Sequence, residues 1–298
     1  MAGVAGVTAV ADAAAEAAVA VATERAAILG AGLGWRAQLG PGILQQRARI
    51  DVLEIVADHF LDAPAETLAE LDLLRAHFTI IPHALDLSLG SAEGVDGAYL
   101  ERLAALIARL DPPWWSEHLA FTRAGGVRIG HLMPLPRTHG AVAVVARNVA
   151  QVARTIRTPL LLENSAALFT LPGAMDPAEF LRAVVDVTGC GLLLDLANLH
   201  ADAVNHGGDA RALLARLPVE RVVQLHLAGG DHERGVLLDS HASAVAEPVW
   251  DLAEEVLARA PVRAAILERD ARFVGVGPLL DELDRLRACW PALRAARA

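Results

Sequence analysis

The chain has 298 residues, 54% of them hydrophobic, and a formal net charge of -10. That length fits one large α/β domain, and the acidic balance disfavours a nucleic-acid partner, whose phosphates attract basic surfaces. Two cysteines, Cys190 and Cys289, do not make a disulfide framework and fit a reducing cytosol, so a cytoplasmic protein is expected.

The first 25 residues are rich in Ala and Val. No basic residue precedes Arg25, and Asp12, Glu16 and Glu24 interrupt the apolar stretch, so a loose helical or disordered extension is expected there rather than a signal peptide or a membrane span. Residues 1–25 are read as an Ala-rich extension and 26–298 as a single domain, with no membrane partner. Short apolar runs then alternate with segments of helical spacing. AAILGAGLGWR (26–36) is the first candidate strand. Its G-x-G lacks the third glycine and the acidic residue of a dinucleotide fingerprint, and signals close backbone packing. A short helix near 40–47 follows. LEIVADHF (53–60) leads into a helix over 62–77, with Asp62 as its cap. After TIIPHALD (79–86), Tyr99, Leu103, Leu106, Ile107 and Leu110 share one helical face. WWSEHLAF (114–121) precedes a helix over 140–157, and PLLLENSA (159–166) precedes a capping box at Asp176-Pro177-Ala178-Glu179. GLLLDLANLH (191–200), VVQLHLAG (222–229) and AAILERD (264–270) precede helices over 208–216, 247–259 and 278–288, with Asn205–Gly208 as a loop. Eight strand–helix units whose strands are near-continuous apolar runs predict a (β/α)8 TIM barrel; a doubly wound open sheet is the runner-up.

Seven of the eight runs end in a carboxylate, an imidazole or both. Such groups resist burial unless they are paired or bind a metal, and the C-terminal strand ends are where a barrel keeps its active site. His83, Glu163, Asp195 and Glu268 close their runs, and His226 interrupts its own. Glu117 and His118 are adjacent and point to opposite faces of a strand, so one of them faces the interior. Asp239-Ser240-His241, in the loop after the seventh strand, places an acid and an imidazole on one side of an extended segment. Each residue alone has a plainer role: a histidine on a backbone carbonyl, a buried ion pair, a turn cap. Their concurrence at one end of one barrel favours metal. His83, Glu117, Glu163, Asp195, His226, Asp239, His241 and Glu268 exceed the three or four protein ligands of one ion and suit two or three, bridged by carboxylates. The oxygen and nitrogen donors suit Fe, Zn or Mn. His118, Asn164, Asn198 and His200 are further candidates for metal or substrate, and His206 for substrate; no catalytic group beyond the ligands is assigned.

The series PHALDLSLGS, SEHLAFTR, LLLENSA, TGCGLLLDLANLH, AVNHG, QLHLAGG, LLDSHASAV and LERD resembles the multinuclear non-heme iron-dependent oxidative enzymes, which include the methanobactin-biosynthesis oxidase and the 3-thiaglutamate-pathway enzyme. The likeness runs from about residue 28 to 285. It implies a TIM barrel holding two or three irons of mixed Fe(II)/Fe(III) state. It also implies O2-dependent modification of a ribosomally made precursor peptide, usually at cysteine, and a separate partner protein that binds the leader. The ligand order also resembles that of endonuclease IV and xylose-isomerase-like barrels, falling on His83, His118, Glu163, Asp195, His226, Asp239/His241 and Glu268. Asn198 stands where the nuclease pattern has a histidine, which favours the iron family. Where the iron family often carries E-V-H-A-E-N, this chain has Glu54, Val56, Asp58 and His59; His59 is therefore the candidate on the second strand. His200 replaces a more usual aromatic. Two other readings share the ligands: a Zn- or Mn-dependent hydrolase or phosphodiesterase, and a non-catalytic metal-bearing scaffold that binds a peptide.

Overall fold

The computed structural model describes residues 27–297, and the Ala-rich extension lies outside the described residues. In chain order the strands are β1 (Gly30–Gly34), β2 (Val52–Val56), β3 (Thr79–Ala84), β4 (Trp115–His118), β5 (Phe121–Ala124), β6 (Val127–Met133), β7 (Leu160–Glu163), β8 (Gly191–Asp195), β9 (Val222–Leu227), β10 (Gly229–Glu233), β11 (Val236–Ser243) and β12 (Ala264–Leu267). Eight of them close a parallel barrel in the order β1-β12-β9-β8-β7-β4-β3-β2. The remaining four form two antiparallel hairpins, β5–β6 and β10–β11, outside the barrel wall. The predicted TIM barrel is thus the observed fold.

Side chains alternate faces along a strand with a period of two. Val52, Ile81, Trp114, Leu161, Leu193, Val223, Ala264 and Ile266 form one fully buried cluster inside the barrel. Two residues onward, on the same face, stand Glu54, His83, Ser116, Glu163, Asp195 and Glu268 (from Val52, Ile81, Trp114, Leu161, Leu193 and Ile266). An apolar plug therefore carries a polar layer toward the C-terminal mouth. β9 keeps both by breaking register: Leu192 pairs with Val222 and Leu193 with Gln224, leaving Val223 as an extra residue. Such a bulge lets Val223 join the plug while Gln224 and His226 turn inward above it.

The glycines of β1 pack as expected. A Cβ at Gly32 would lie 2.2 Å from the Val52 carbonyl oxygen, and one at Gly30 would lie 2.6 Å from the Asp51 carboxylate.

Three local expectations change. The helix expected over 62–77 is Ala65–Arg75 with Pro64 at its cap, while Asp62 pairs with Arg102 at 3.2 Å instead. The run 191–200 is strand only to Asp195; Leu196–His206 is helix, started by the Asp195 carboxylate accepting the Asn198 N–H at 2.7 Å. Asn205 and His206 consequently end a helix rather than lie in a loop. The third change is the two hairpins, which stand in place of loops. Their turns, Gly125-Gly126 (φ 60° and 74°) and Arg234-Gly235 (φ 50° and 85°), are two-residue left-handed turns whose twist suits a hairpin.

Candidate metal centre

The polar layer converges on Glu163. Its Oε2 lies 3.3 Å from His83 Nε2 and 3.1 Å from His118 Nε2; its Oε1 lies 3.0 Å from His226 Nδ1. Donor atoms of His83, His118 and Glu163 fall within 4.8 Å of one another, and so do those of Glu163, Asp195, His226 and Glu268. The two groups share Glu163, which turns one oxygen to each. His226 Nδ1 is 3.0 Å from Glu268 Oε2 and 4.0 Å from Asp195 Oδ2, so three carboxylates face one ring nitrogen.

The outer nitrogens of the imidazoles have their own partners. His83 Nδ1 is 2.8 Å from Ser116 Oγ, and His226 Nε2 is 2.8 Å from Glu54 Oε1. Trp114 donates its indole N–H to Gln224 Oε1 at 2.7 Å. An indole can only donate, so the Gln224 amide nitrogen must face the other way. It donates to Glu54 Oε2. A carboxylate so held orients the ring that a metal would bind from its opposite side. Glu54 and Gln224 were not among the residues expected at the site. The available signal was a buried Gln in an otherwise apolar strand run, which demands a partner.

Of the adjacent pair, His118 is the member that joins the inward cluster. Trp114, Ser116 and His118 share one face by parity, and Glu117 lies on the other. The Glu117 carboxylate accepts the Leu87 and His118 backbone N–H groups at 2.9 and 2.8 Å, and sits 3.8 Å from His118 Nδ1. Asp239 and His241, on β11, face the same way, with His241 Nε2 2.6 Å from Asp239 Oδ1 and Nδ1 3.7 Å from Glu268 Oε2. They reach the rim of the centre from above. His241 has φ 47°, a left-handed backbone that a residue with a Cβ seldom adopts. Its carbonyl accepts the Asp270 N–H at 2.9 Å, which holds it there.

The remaining expected residues lie around this core. His59 is exposed on the turn after β2 and is not brought to the cluster. Asn164 clasps β8, donating to the Asp195 carbonyl and accepting the Asp195 N–H, both at 2.9 Å. Asn198 Oδ1 is buried without a hydrogen bond. His200 is half-buried, and His206 Nε2 bonds the Ala167 carbonyl at 2.8 Å. Asn205 exchanges two hydrogen bonds with the Leu237 backbone and so ties β11 to its helix.

Electrostatics follow from crowding opposite charges without water. Burial alone would lower His118, but Glu163 and Glu117 beside it hold it up to about 9. Burial alone would raise Glu163, but His118, His226 and His83 pull it down to about 2. Burial likewise works against charge on His226, yet Glu268, Glu54 and Glu163 keep it well above the usual imidazole range. Burial, with Asp239 and Glu163 nearby, drives Asp195 well up. Burial pushes Glu117 to about 6.

The donor set fits a metal. Glu163 Oε2 is buried and accepts no hydrogen bond, although two imidazole nitrogens lie within 3.3 Å. The nitrogens are near but not aimed as donors, an arrangement that a cation between them would satisfy. Three imidazoles and several carboxylates, with no thiolate, suit Fe, Zn or Mn.

The sequence family described as "RiPP precursor modification enzyme MbnB/TglH/ChrH" matches residues 30–290. A UPF0276 protein of Caulobacter vibrioides (strain NA1000 / CB15N) is 39% identical over 267 residues, covering 89% of this chain and 95% of the relative. A UPF0276 protein of Bordetella bronchiseptica is 38% identical over 265 residues, covering 87% and 92%. Among solved structures, endonuclease IV from Thermus thermophilus superposes with a TM-score of 0.53 at 18% identity, covering 87% of this chain and 98% of that one. A putative xylose isomerase from Rhodospirillum rubrum gives 0.54 at 13% identity, covering 90% and 99%. Those two likenesses are of fold.

Proposed function

Since the chain belongs to the RiPP precursor modification enzyme family MbnB/TglH/ChrH, we propose that it is a non-heme iron enzyme that oxidatively modifies a cysteine-containing, ribosomally made peptide with O2. The observation that carries the reading is Glu163, whose two oxygens serve two neighbouring donor groups while one of them lacks a hydrogen bond. His83, His118 and Glu163 would hold one ion, and Glu163, Asp195, His226 and Glu268 a second. Asp239 and His241, beside Glu268, would add donors to a further ion. Iron of mixed Fe(II)/Fe(III) state, when bound, supplies Lewis acidity and electron transfer to O2 beside a substrate thiolate.

The chain's own residues do the rest. Glu54 fixes the His226 ring, Ser116 fixes His83, and Glu117 braces His118 from behind rather than ligating. The apolar plug keeps water from entering beneath the centre. A precursor peptide is the partner, a separate leader-binding protein delivers it, and the reaction takes place in the cytoplasm.

The test is elemental analysis of anaerobically purified protein, followed by mass spectrometry of a cysteine-containing precursor peptide incubated with the iron-loaded protein in air. Expected are two to three irons per chain, oxygen consumption and a peptide mass change. Turnover of a phosphodiester without oxygen by the Zn- or Mn-loaded protein, with no change in the peptide, would select the hydrolase reading instead.

A further inference from the structure

A cavity of about 120 Å³ lies between the segment that follows β7 and the helices Pro177–Thr188 and Leu196–His206. Its wall is apolar, built by Leu119, Phe169, Phe180, Leu181, Leu199 and Leu217. It adjoins the metal centre through the chain itself. Leu119 follows His118, Asn164 follows Glu163 and Leu199 follows Asn198, and all three line it. On the same segment Leu168 and Phe169 are 64% and 47% exposed, an apolar rim beside the opening.

Two charged residues complete the lining. Arg137 is half-buried, and among the described residues its guanidinium has no hydrogen bond or ion pair. Asp202 accepts the Ala167 N–H through Oδ1 at 2.9 Å. Burial pushes the Asp202 carboxyl up, while the Ala167 N–H, His206 at 3.9 Å and, more weakly, Arg137 help hold it down. No ion pair closes between them. A half-buried guanidinium needs acceptors, and a carboxylate with a free oxygen needs a donor. An extended peptide offers both along its backbone, together with a side chain for the apolar wall. The size favours the side chain: an enclosed cavity of ~150 Å³ takes one benzene, so an aliphatic group fills the inner part of this open pocket while an indole would stand partly outside it.

We propose that this cavity is a specificity pocket for a branched aliphatic side chain, of Val to Leu size, on the precursor peptide, with Arg137 and Asp202 bonding the peptide backbone beside it. The recognised residue flanks the modified one on the same peptide, since the two sites share chain neighbours at residues 118–119, 163–164 and 198–199. The inference rests on the reading of this protein as a peptide-modifying enzyme.

The experiment uses the full-length, metal-free protein and fluorescein-labelled nonapeptides with one central Cys in a Gly/Ser background. Each flanking position is replaced in turn by Leu, Val or Trp, and binding is read by anisotropy. One flanking position should favour Leu over Gly by about tenfold or more, as expected for burying an aliphatic side chain, and should reject Trp. Ala167→Phe narrows the cavity from the outer segment without touching the Asp202 bond, which uses the backbone. It should abolish the Leu preference while leaving the melting temperature and iron content unchanged. Arg137→Gln should weaken all peptides about threefold to tenfold, whatever the flanking residue. Equal binding of Gly, Leu and Trp peptides overturns the pocket, as does a Leu preference that survives Ala167→Phe. Iron content separates the two readings. A Leu preference in a protein that takes up no iron sinks the iron enzyme and leaves the pocket. Iron uptake with no side-chain preference does the reverse.

Discussion

The lower and upper halves of the barrel interior are built from the same strands, one step of two residues apart, yet they obey opposite rules. Below, Leu161 and Leu193 are fully buried in an apolar cluster; above, Glu163 and Asp195 are almost as deeply buried and titratable, Glu163 held ionised by the imidazoles and Asp195 pushed up by burial and its acidic neighbours. The plug gains stability from every residue it contains. The polar layer spends it, because buried carboxylates and imidazoles recover their lost hydration only in part from one another. The difference separates what holds the barrel shut from what the barrel is for.

Substitutions at equivalent depth should split stability from metal uptake. The largest effect is expected for Glu163→Gln. One of the two shared oxygens becomes an amide NH2 and the negative charge is lost to both donor groups, so metal affinity should fall beyond the ~100-fold typical of losing an outer-shell partner. The metal-free protein should also lose stability, by up to about 3–5 kcal/mol, because His118 and His226 lose the carboxylate they share while Glu117, Glu268 and Glu54 still face them. Calorimetric titration and denaturant melts read the two effects. Next is Leu161→Ala in the plug, expected to cost about 2–5 kcal/mol while metal affinity stays within about twofold of the parent. A large loss of metal binding there would erase the distinction between the halves. Glu54→Gln should preserve the fold and weaken metal binding about 10- to 100-fold by releasing the His226 ring.

pH should act on the upper half alone. His118 is raised from 6.5 to about 9 in the metal-free protein. A raised imidazole contributes stability that is fully present below pH 6.5 and lost as pH rises through about 9. Metal must displace that proton, so affinity should climb over this window by about tenfold per pH unit for His118 alone, and more steeply where His226 also gives up its proton. Melts and metal titrations at pH 6.5, 8 and 9.5 should therefore move in opposite directions; a flat metal affinity would contradict the assignment of His118 as a ligand.

Much of the barrel was legible because its strands are continuous apolar runs, each closed by one polar residue. The inward face was legible too. Parity from Trp114 puts 114, 116 and 118 on one face, yet the ligand set read from the sequence carried Glu117, and it is His118 that stands with His83 and Glu163. The bulge in β9 was not, because Val222-Val223-Gln224 reads as ordinary strand and the extra residue exists only in its pairing with β8. Nor was the contribution of Glu54, whose meaning depends on Gln224 and Trp114, far away in sequence. The hairpins did carry a signal. Gly125-Gly126 between Arg123-Ala124 and Val127-Arg128 is a two-residue turn, but the flanking residues of β6 are exposed and lack the alternation that marks a half-buried strand. The helix after β8 was hidden because Asp195 ends a strand and caps a helix at once, so the apolar pattern runs through without a break.

That double duty gives the helix from Leu196 to His206 a mechanical role. Eleven residues make a stiff rod about 16 Å long. One end is pinned by Asp195 within the buried polar layer; the far end and middle grip two outer segments, through Asn205 on Leu237 and Asp202 and His206 on Ala167. Seating a cation against Asp195 should therefore tighten both grips together, slowing deuterium uptake at the Ala167 and Leu237 amides while leaving Leu193, beneath that layer, as it was. The lever would be absent if loading altered one grip without the other.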